Sequence, residues 1–331
     1  MHISVGLFPL FKEELMKTDV KQDIGNRLVQ MIKDMGEPIW RMPWVFAQPE
    51  TAFGGKDYRG INQAITAMYR MANGQKSHLW LTRKKIDELA GWKWDESKKR
   101  KVKDRDNKLN VYLRTGCHGV PIVYWSFIPK KDSDGNVMKD KEGNELTYPM
   151  LRSYTVFNSD DVIGFDFSSF EPKEPVISDP MTCEEYSDMM LSSYSNHPSV
   201  IHGGNRAFYS LSSDTVVVPD MERFDSPVEY ASTLAHELGH STGHPSRLNR
   251  KFGASFGDDT YSKEELVAEF TASMVLAQMG IMDRPSDNSA AYLKCWLKKI
   301  GDDPSLLFDA ISHAKKACDM ITGNTNDKED R

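Results

Sequence analysis

The segment Ser232–His244 reads STLAHELGHSTGH and contains the pattern His-Glu-x-x-His at His236, Glu237 and His240. On a helix, residues four apart lie one turn apart on the same face, so these two imidazoles can share one zinc ion. Glu237 is then rotated toward the open coordination position, where a carboxylate can act as general base on a metal-activated water. The chemistry expected of this triplet is peptide hydrolysis with a single catalytic Zn2+.

The flanking residues supply the helix that such a site needs. Ser226-Pro227-Val228-Glu229 reads as an N-cap serine, a proline at the first helical position and a glutamate at the third, a capping box. Gly243 stands where a C-terminal glycine would end the helix. A catalytic zinc commonly has three protein ligands and a water, so one more ligand is required. A histidine six residues after the second is one solution, but position 246 is Ser246. The other is a glutamate on the next helix, which SKEELVAEFTASMVLAQM at 262–279 provides. Glu265 is the expected ligand, and Glu269, one turn on, the expected partner of a ligand histidine or else the alternative ligand. A competing reading has Ser262 and Glu265 as a capping box in which Glu265 only caps its own helix. Glu264 reads as a surface residue favoured by the helix dipole, and His244 as a weaker ligand or a structural residue. The strand DTVVVP at 214–219 is expected to border the cleft and to bind substrate backbone, and Tyr209 is a candidate oxyanion stabiliser.

A second signal lies in the other half of the chain. Six of the seven tryptophans, Trp40, Trp44, Trp80, Trp92, Trp94 and Trp125, precede residue 126. Among them runs KWDESKKRKVKDR, with Lys98, Lys99, Arg100, Lys101, Lys103 and Arg105. Aromatic faces stacking on unpaired bases, with cations tracking phosphates, is how single-stranded nucleic acid is bound without sequence preference. Trp92 and Trp94 are the candidates for stacking, whereas Trp40, Trp80 and Trp125 sit in apolar surroundings that read as core.

The charge balance separates the halves. Of a formal net charge of −6, residues 181–331 carry 14 Lys/Arg against 23 Asp/Glu, and residues 83–114 carry 12 against 6. Cys117, Cys183, Cys295 and Cys318 are scattered without a CxxC pair, which fits a reducing cytoplasm and neither a zinc ribbon nor a disulfide framework. No apolar run approaches the roughly 18 residues of a membrane-spanning helix. The opening MHISVGLFPLF lacks a basic start and a small-residue cleavage site, so secretion is not expected.

These observations predict an α+β chain of two domains. The first, residues 1–165, opens with an extension at 1–18. A helix follows with Val20, Ile24, Leu28, Ile32 and Met35 on one face, then helices near 60–72 and 82–90, and strands at 111–115, 120–128 and 151–157. A polar excursion separates the last two strands, and nothing repeats internally. Residues 166–180 hold three prolines and read as a linker. Residues 181–322 read as helix, short strands and four helices, mainly helical with a small sheet, and 323–331 as a disordered tail.

The chain resembles the ArdC-type antirestriction proteins of plasmids and phages. The resemblance rests on PIWRMPW, YRGINQAITAMY, HLWLTRKKIDELAG, TGCHGVPIVYW and LRSYTVFN in the first half. In the second it rests on NRAFYSLSSDTVVVPDMERF, HELGHSTGHPSRLNR and EELVAEFTASMVL. It implies an amino-terminal domain that binds single-stranded DNA, a zincin-like metallopeptidase domain, and protection of incoming DNA from restriction. The zinc ligands carry over onto His236, His240 and Glu265, with Glu237 as base. Family members have a shorter segment where this chain has WKWDESKKRKVKDRDNKLN, so a DNA role for that segment is not inherited, and TGCHG replaces the usual basic turn. A binding protein with a structural zinc, and a regulatory protease that cleaves a repressor, are the rival readings. Neither the protein substrate nor the oligomeric state is assigned by these residues.

Overall fold

Ile24, Leu28 and Ile32 recur at helical spacing, and α1 (Val20–Met35) buries all three, each contributing about 1.5–3 kcal/mol by leaving water. A computed structural model describes residues 20–35, 46, 49–104, 106, 109–171, 181–252, 259–281 and 303–324. The expected extension at 1–18, Trp40, Trp44 and Arg105 lie outside these residues.

In the first half, α2 (Gly60–Ala72) buries Ala64, Ile65 and Met68. A four-stranded sheet runs in the order β1 (Thr51–Ala52), β2 (Leu79–Thr82), β7 (Thr147–Asn158), β6 (Val120–Pro129); β1 is parallel to β2 and the other pairs are antiparallel. The Thr82 hydroxyl accepts from the Lys85 amide at 3.2 Å and starts α3 (Arg83–Leu89). The basic run then folds as a hairpin, β3 (Trp92–Asp95) against β4 (Arg100–Lys103). A small pair, β5 (Tyr112–Leu113) with β8 (Val162–Ile163), closes this half.

The structure corrects three expectations in this half. Trp80 is buried, its indole donating to Glu50 at 2.6 Å, but Trp125 is 53% exposed. The reason is topological: β6 and β7 pair over ten positions, whereas β2 covers only residues 156–158 of β7. The outer half of the ribbon therefore projects beyond the sheet. The excursion at its tip does repeat. KDSDGNVM at 131–138 and KDKEGNEL at 139–146 form the same turn twice. Asp132 accepts from the Asp134 and Asn136 amides as Asp140 does from those of Glu142 and Asn144. Lastly, the first part of the expected linker is packed. Phe165, Phe167 and Phe170 stack edge-on against Phe53 with centroids 5.9, 5.4 and 4.8 Å away. Glu171 accepts from the Ser77 hydroxyl and the His78 amide. Residues 172–180 lie outside the described residues.

The second half begins with α4 (Cys183–Ser193), closed by a complete Thr182–Glu185 capping box. A three-stranded sheet follows in the order β10 (Phe208–Ser210), β11 (Thr215–Val218), β9 (Ser199–His202). The helices are α5 (Pro227–Ser241), α6 (Asp259–Gln278) and α7 (Ser305–Ile321). Four were expected after the strands; residues 282–302 lie outside the described residues. The halves share one apolar core in which Ile24, Leu28 and Ile65 join Leu307, Ile311 and Phe270. Across that junction Asp309 of α7 pairs with Lys21 of α1 at 2.8 Å and with Lys263 of α6 at 3.0 Å. No helix of the described residues is long and apolar enough to cross a membrane.

Candidate metal centre

The helix α5 starts as its residues dictate. Ser226 accepts from the Glu229 amide at 3.2 Å, and Pro227 occupies the first turn. Only half of the expected capping box forms, because the Glu229 carboxylate accepts from Asp225 rather than from Ser226. Near the other end, Gly239 sits where α6 crosses. A Cβ at Gly239 would lie 3.2 Å from the Ala268 Cα and 3.2 Å from the Thr271 Cβ. The glycine inside HELGH thus sets how closely the two helices approach, and the approach brings a carboxylate to the histidines.

That carboxylate is Glu265. His236, His240 and Glu265 present one ligand atom each within 4.8 Å of one another. The two Nε2 atoms are 3.2 Å apart; that of His236 is 3.6 Å from Glu265 Oε2 and that of His240 3.6 Å from Glu265 Oε1. Ligand atoms at about 2.0–2.2 Å from a tetrahedral zinc stand about 3.3–3.5 Å from each other, so the donor set and its spacing fit a divalent metal ion. The helix α6 begins at Asp259, a turn before Ser262, so Glu265 does not cap its own helix.

The Nδ1 atoms face away from the triangle, each toward a carboxylate. His236 Nδ1 lies 3.7 Å from Glu269, as its spacing from Glu265 predicts. His240 Nδ1 lies 3.5 Å from Glu264, which is buried and not the surface residue expected of it. Burial alone would raise the Glu264 carboxyl, but hydrogen bonds from Arg250 and His240 hold it below the usual carboxylate range. Burial works against the charged form of His236. The surrounding Glu265, Glu269 and Glu237 outweigh it and lift the imidazole to about 9. The centre is therefore one that attracts a cation.

The triangle opens into a cleft of about 430 Å3 lined by Ala207, Phe208, Tyr209, Glu237 and Phe252 beside His236, His240, Glu265 and Glu264. Glu237 is 8% exposed and faces this space. The strand along the cleft is β10. The expected strand, β11, is the middle one of its sheet and has both edges paired. Tyr209 lines the cleft, but its hydroxyl donates to Asp214 at 2.8 Å. Burial and that carboxylate raise its pKa further, so its proton is engaged. His244 stands apart from the triangle, bonded to Ser246 at 2.7 Å. Gly243 does not take up the left-handed conformation of a helix-ending glycine. Its role is space, since a Cβ there would meet Phe252 at 2.7 Å.

The hairpin holds the other expected site. Trp92 and Trp94 are 40% and 57% exposed, and register places them opposite Lys103 and Lys101 on one face. Lys98 and Lys99 pair with Asp95 and Glu96 at 3.1 Å, and Lys101 pairs with Asp87. Arg100 and Lys103 lie on the same strand with their side chains exposed to solvent.

A helix carrying His-Glu-x-x-His, a crossing helix that brings a glutamate, and a strand along the cleft define a zincin-like domain. The model of the zincin-like metallopeptidase family matches residues 191–313, and that of the N-terminal domain of anti-restriction factor ArdC matches residues 18–157. The metal-free crystal structure of antirestriction protein ArdC from plasmid R388 is 30% identical, with 92% of this chain and 96% of that one covered at a TM-score of 0.65. Its Mn(II)-bound form is 28% identical, covering 94% and 100% at 0.66. The chain belongs to the ArdC-type antirestriction family. DNA primase TraC of Escherichia coli is also similar, 32% identical over 323 residues or 92% of this chain. The chain spans 27% of that primase's length, and 21% of a second TraC primase that is 29% identical.

Proposed function

We propose that this chain is a zinc-dependent peptidase that works at single-stranded DNA in antirestriction. The observation that carries the first part is the convergence of His236, His240 and Glu265, one ligand atom each within 4.8 Å of the others, with Glu237 in the same cleft. A zinc ion held there supplies Lewis acidity, to a water molecule and to a peptide carbonyl. Glu237 takes and returns a proton at its carboxylate. The β10 edge offers backbone groups to an extended peptide, which would add to the sheet as a strand. Tyr209 in this reading shapes the cleft and does not donate to the reaction. The one variant that separates the rival readings is Glu237→Gln. It should retain metal and lose peptide hydrolysis by about 10²–10⁴-fold. Hydrolysis at the wild-type rate would sink the mechanism. DNA protection in cells undiminished by the substitution would favour a binding protein whose metal is structural.

The DNA part rests on family membership and on the exposed Trp92–Lys103 and Trp94–Lys101 face. Arg100, Lys98, Lys99 and, outside the described residues, Arg105 would add charge for the phosphates. A cytoplasmic location follows from the unpaired cysteine pattern and from such a partner.

A further inference from the structure

The loop after α5 reads His-Pro-Ser-Arg-Leu-Asn-Arg, and the reactions above use neither of its arginines. Both are nearly sealed from solvent, with side chains 1% exposed at Arg247 and 5% at Arg250. The loop folds back on the helix end, with Leu248 donating to Thr242 at 2.9 Å and Arg250 to Gly243 at 3.0 Å. The missing Cβ of Gly243 makes room, since it would stand 3.1 Å from the Arg250 guanidinium.

The two arginines then part company. Arg247 reaches the strand side, bonding Asp214 and, at 3.3 Å, the Tyr209 hydroxyl. Arg250 reaches the metal side. Its Nε donates to one Glu264 oxygen at 2.9 Å and its Nη2 to the other at 2.6 Å. Its remaining bonds run to Thr242 Oγ1 at 2.7 Å and to the Gly239 carbonyl at 2.8 Å. One guanidinium thus ties together the two helices that carry the ligands, touching α5 between His236 and His240 and α6 beside Glu265.

We infer that Arg250 is a positioning residue for the metal centre, acting through Glu264 on His240. A fork-to-fork pair fixes both carboxylate oxygens in one plane. The oxygen 3.5 Å from His240 Nδ1 is therefore held where it can accept that proton, which leaves Nε2 as the lone pair directed at the metal. Arg250 also offsets one charge where four carboxylates surround the histidines, three in the cleft (Glu237, Glu264 and Glu265) and Glu269 behind His236. Without it, Glu264 would be a buried carboxylate with no full counter-charge and would turn from its place. This inference rests on the metal-centre reading above.

The test uses the full chain and zinc, with affinity read by competition against a chromogenic chelator and folding checked by metal-free melting. Arg250→Met and Glu264→Gln should each weaken zinc binding by about ten- to a hundred-fold. The double variant should be no worse than either alone, because both residues act along one chain of contacts. It buries no unpaired charge, so it carries the test if Arg250→Met fails to fold. Arg247→Met, an equally buried arginine on the same loop, should bind zinc within about twofold of wild type. Wild-type affinity in the double variant, or an equal loss in Arg247→Met, would overturn the inference while leaving the metal centre standing. A wild-type chain that takes up no zinc would overturn both.

Discussion

The candidate metal cleft and the tryptophan hairpin are held together in opposite ways. In the cleft, charged groups are buried and braced by partners distant along the chain: Arg250 by Glu264, and His236 by Glu265 and Glu269. In the hairpin, Lys98 and Lys99 pair with carboxylates three residues away, and their side chains are more than half exposed. Exposed local pairs contribute about 0.2–1 kcal/mol each and are screened by salt. Buried ones cost several kcal/mol to break. The cleft is thus preorganised and intolerant, whereas the hairpin is adaptable, with cations that exchange partners readily. Such a difference would suit the proposed function, in which one site holds an ion in fixed geometry and the other surface follows a flexible strand.

The contrast can be broken most sharply at Glu265. Glu265→Ala should abolish stoichiometric zinc, a loss beyond the about 100-fold assigned to supporting residues, while Glu269→Ala should stay within that range. Metal analysis of the two purified variants decides it, and equal retention by both would remove Glu265 from the ligand set. Next in size is the stacking face. Trp92→Ala and Trp94→Ala should each weaken single-stranded DNA binding by about 1–3 kcal/mol, measured by fluorescence anisotropy. Unchanged binding would move the DNA surface elsewhere, with the projecting ribbon around Trp125 the first place to look. A smaller effect is expected from Arg100→Ala with Lys103→Ala. The slope of log affinity against log salt should become shallower by about 0.7 for each phosphate that is no longer neutralised. Zinc affinity in the same variant should not move.

The smallest effect concerns the junction of the halves. Burial would raise the Asp309 carboxyl, but Lys21 and Lys263 outweigh it and hold it below the usual range. A depressed folded value means stability that is present above the unfolded value of about 3.9 and lost as pH falls through the folded one. The urea midpoints of wild type and Asp309→Asn should therefore differ at neutral pH and converge below about pH 4. A gap that persists in strong acid would show that packing, not charge, joins α1 to α7.

Much of the cleft was legible because its signals are local. His236, Glu237 and His240 lie within one helix, and Pro227 and Ser226 start that helix by short-range chemistry. That Glu265 approaches the two histidines was readable from spacing and resemblance. Glu264 was not, since its burial depends on Arg250, fourteen residues away, folding back over Gly243. The position of β11 was misjudged for a related reason: strand content can be read from Thr-Val-Val-Val, but the order of strands in a sheet is set by tertiary pairing. Trp125 shows the limit of apolar surroundings as a guide to core. Its neighbours Tyr124 and Phe127 are exposed as well, because among the described residues no third strand covers that part of the ribbon.

The twin turns at the ribbon's tip have a consequence for how the chain can change length. Lys130 accepts from Met138, Met138 from Leu146, and Leu146 from Lys130, at 2.8, 2.9 and 2.7 Å, so the three residues close a ring. Each octapeptide closes its own turn through its aspartate, Asp132 or Asp140, and returns the chain to the point it left. Excising residues 139–146 would put Met138 in the place of Leu146, facing Lys130 as an ordinary antiparallel partner. The tip is therefore modular, and the arm can gain or lose whole units without a change of register in the strands that carry it.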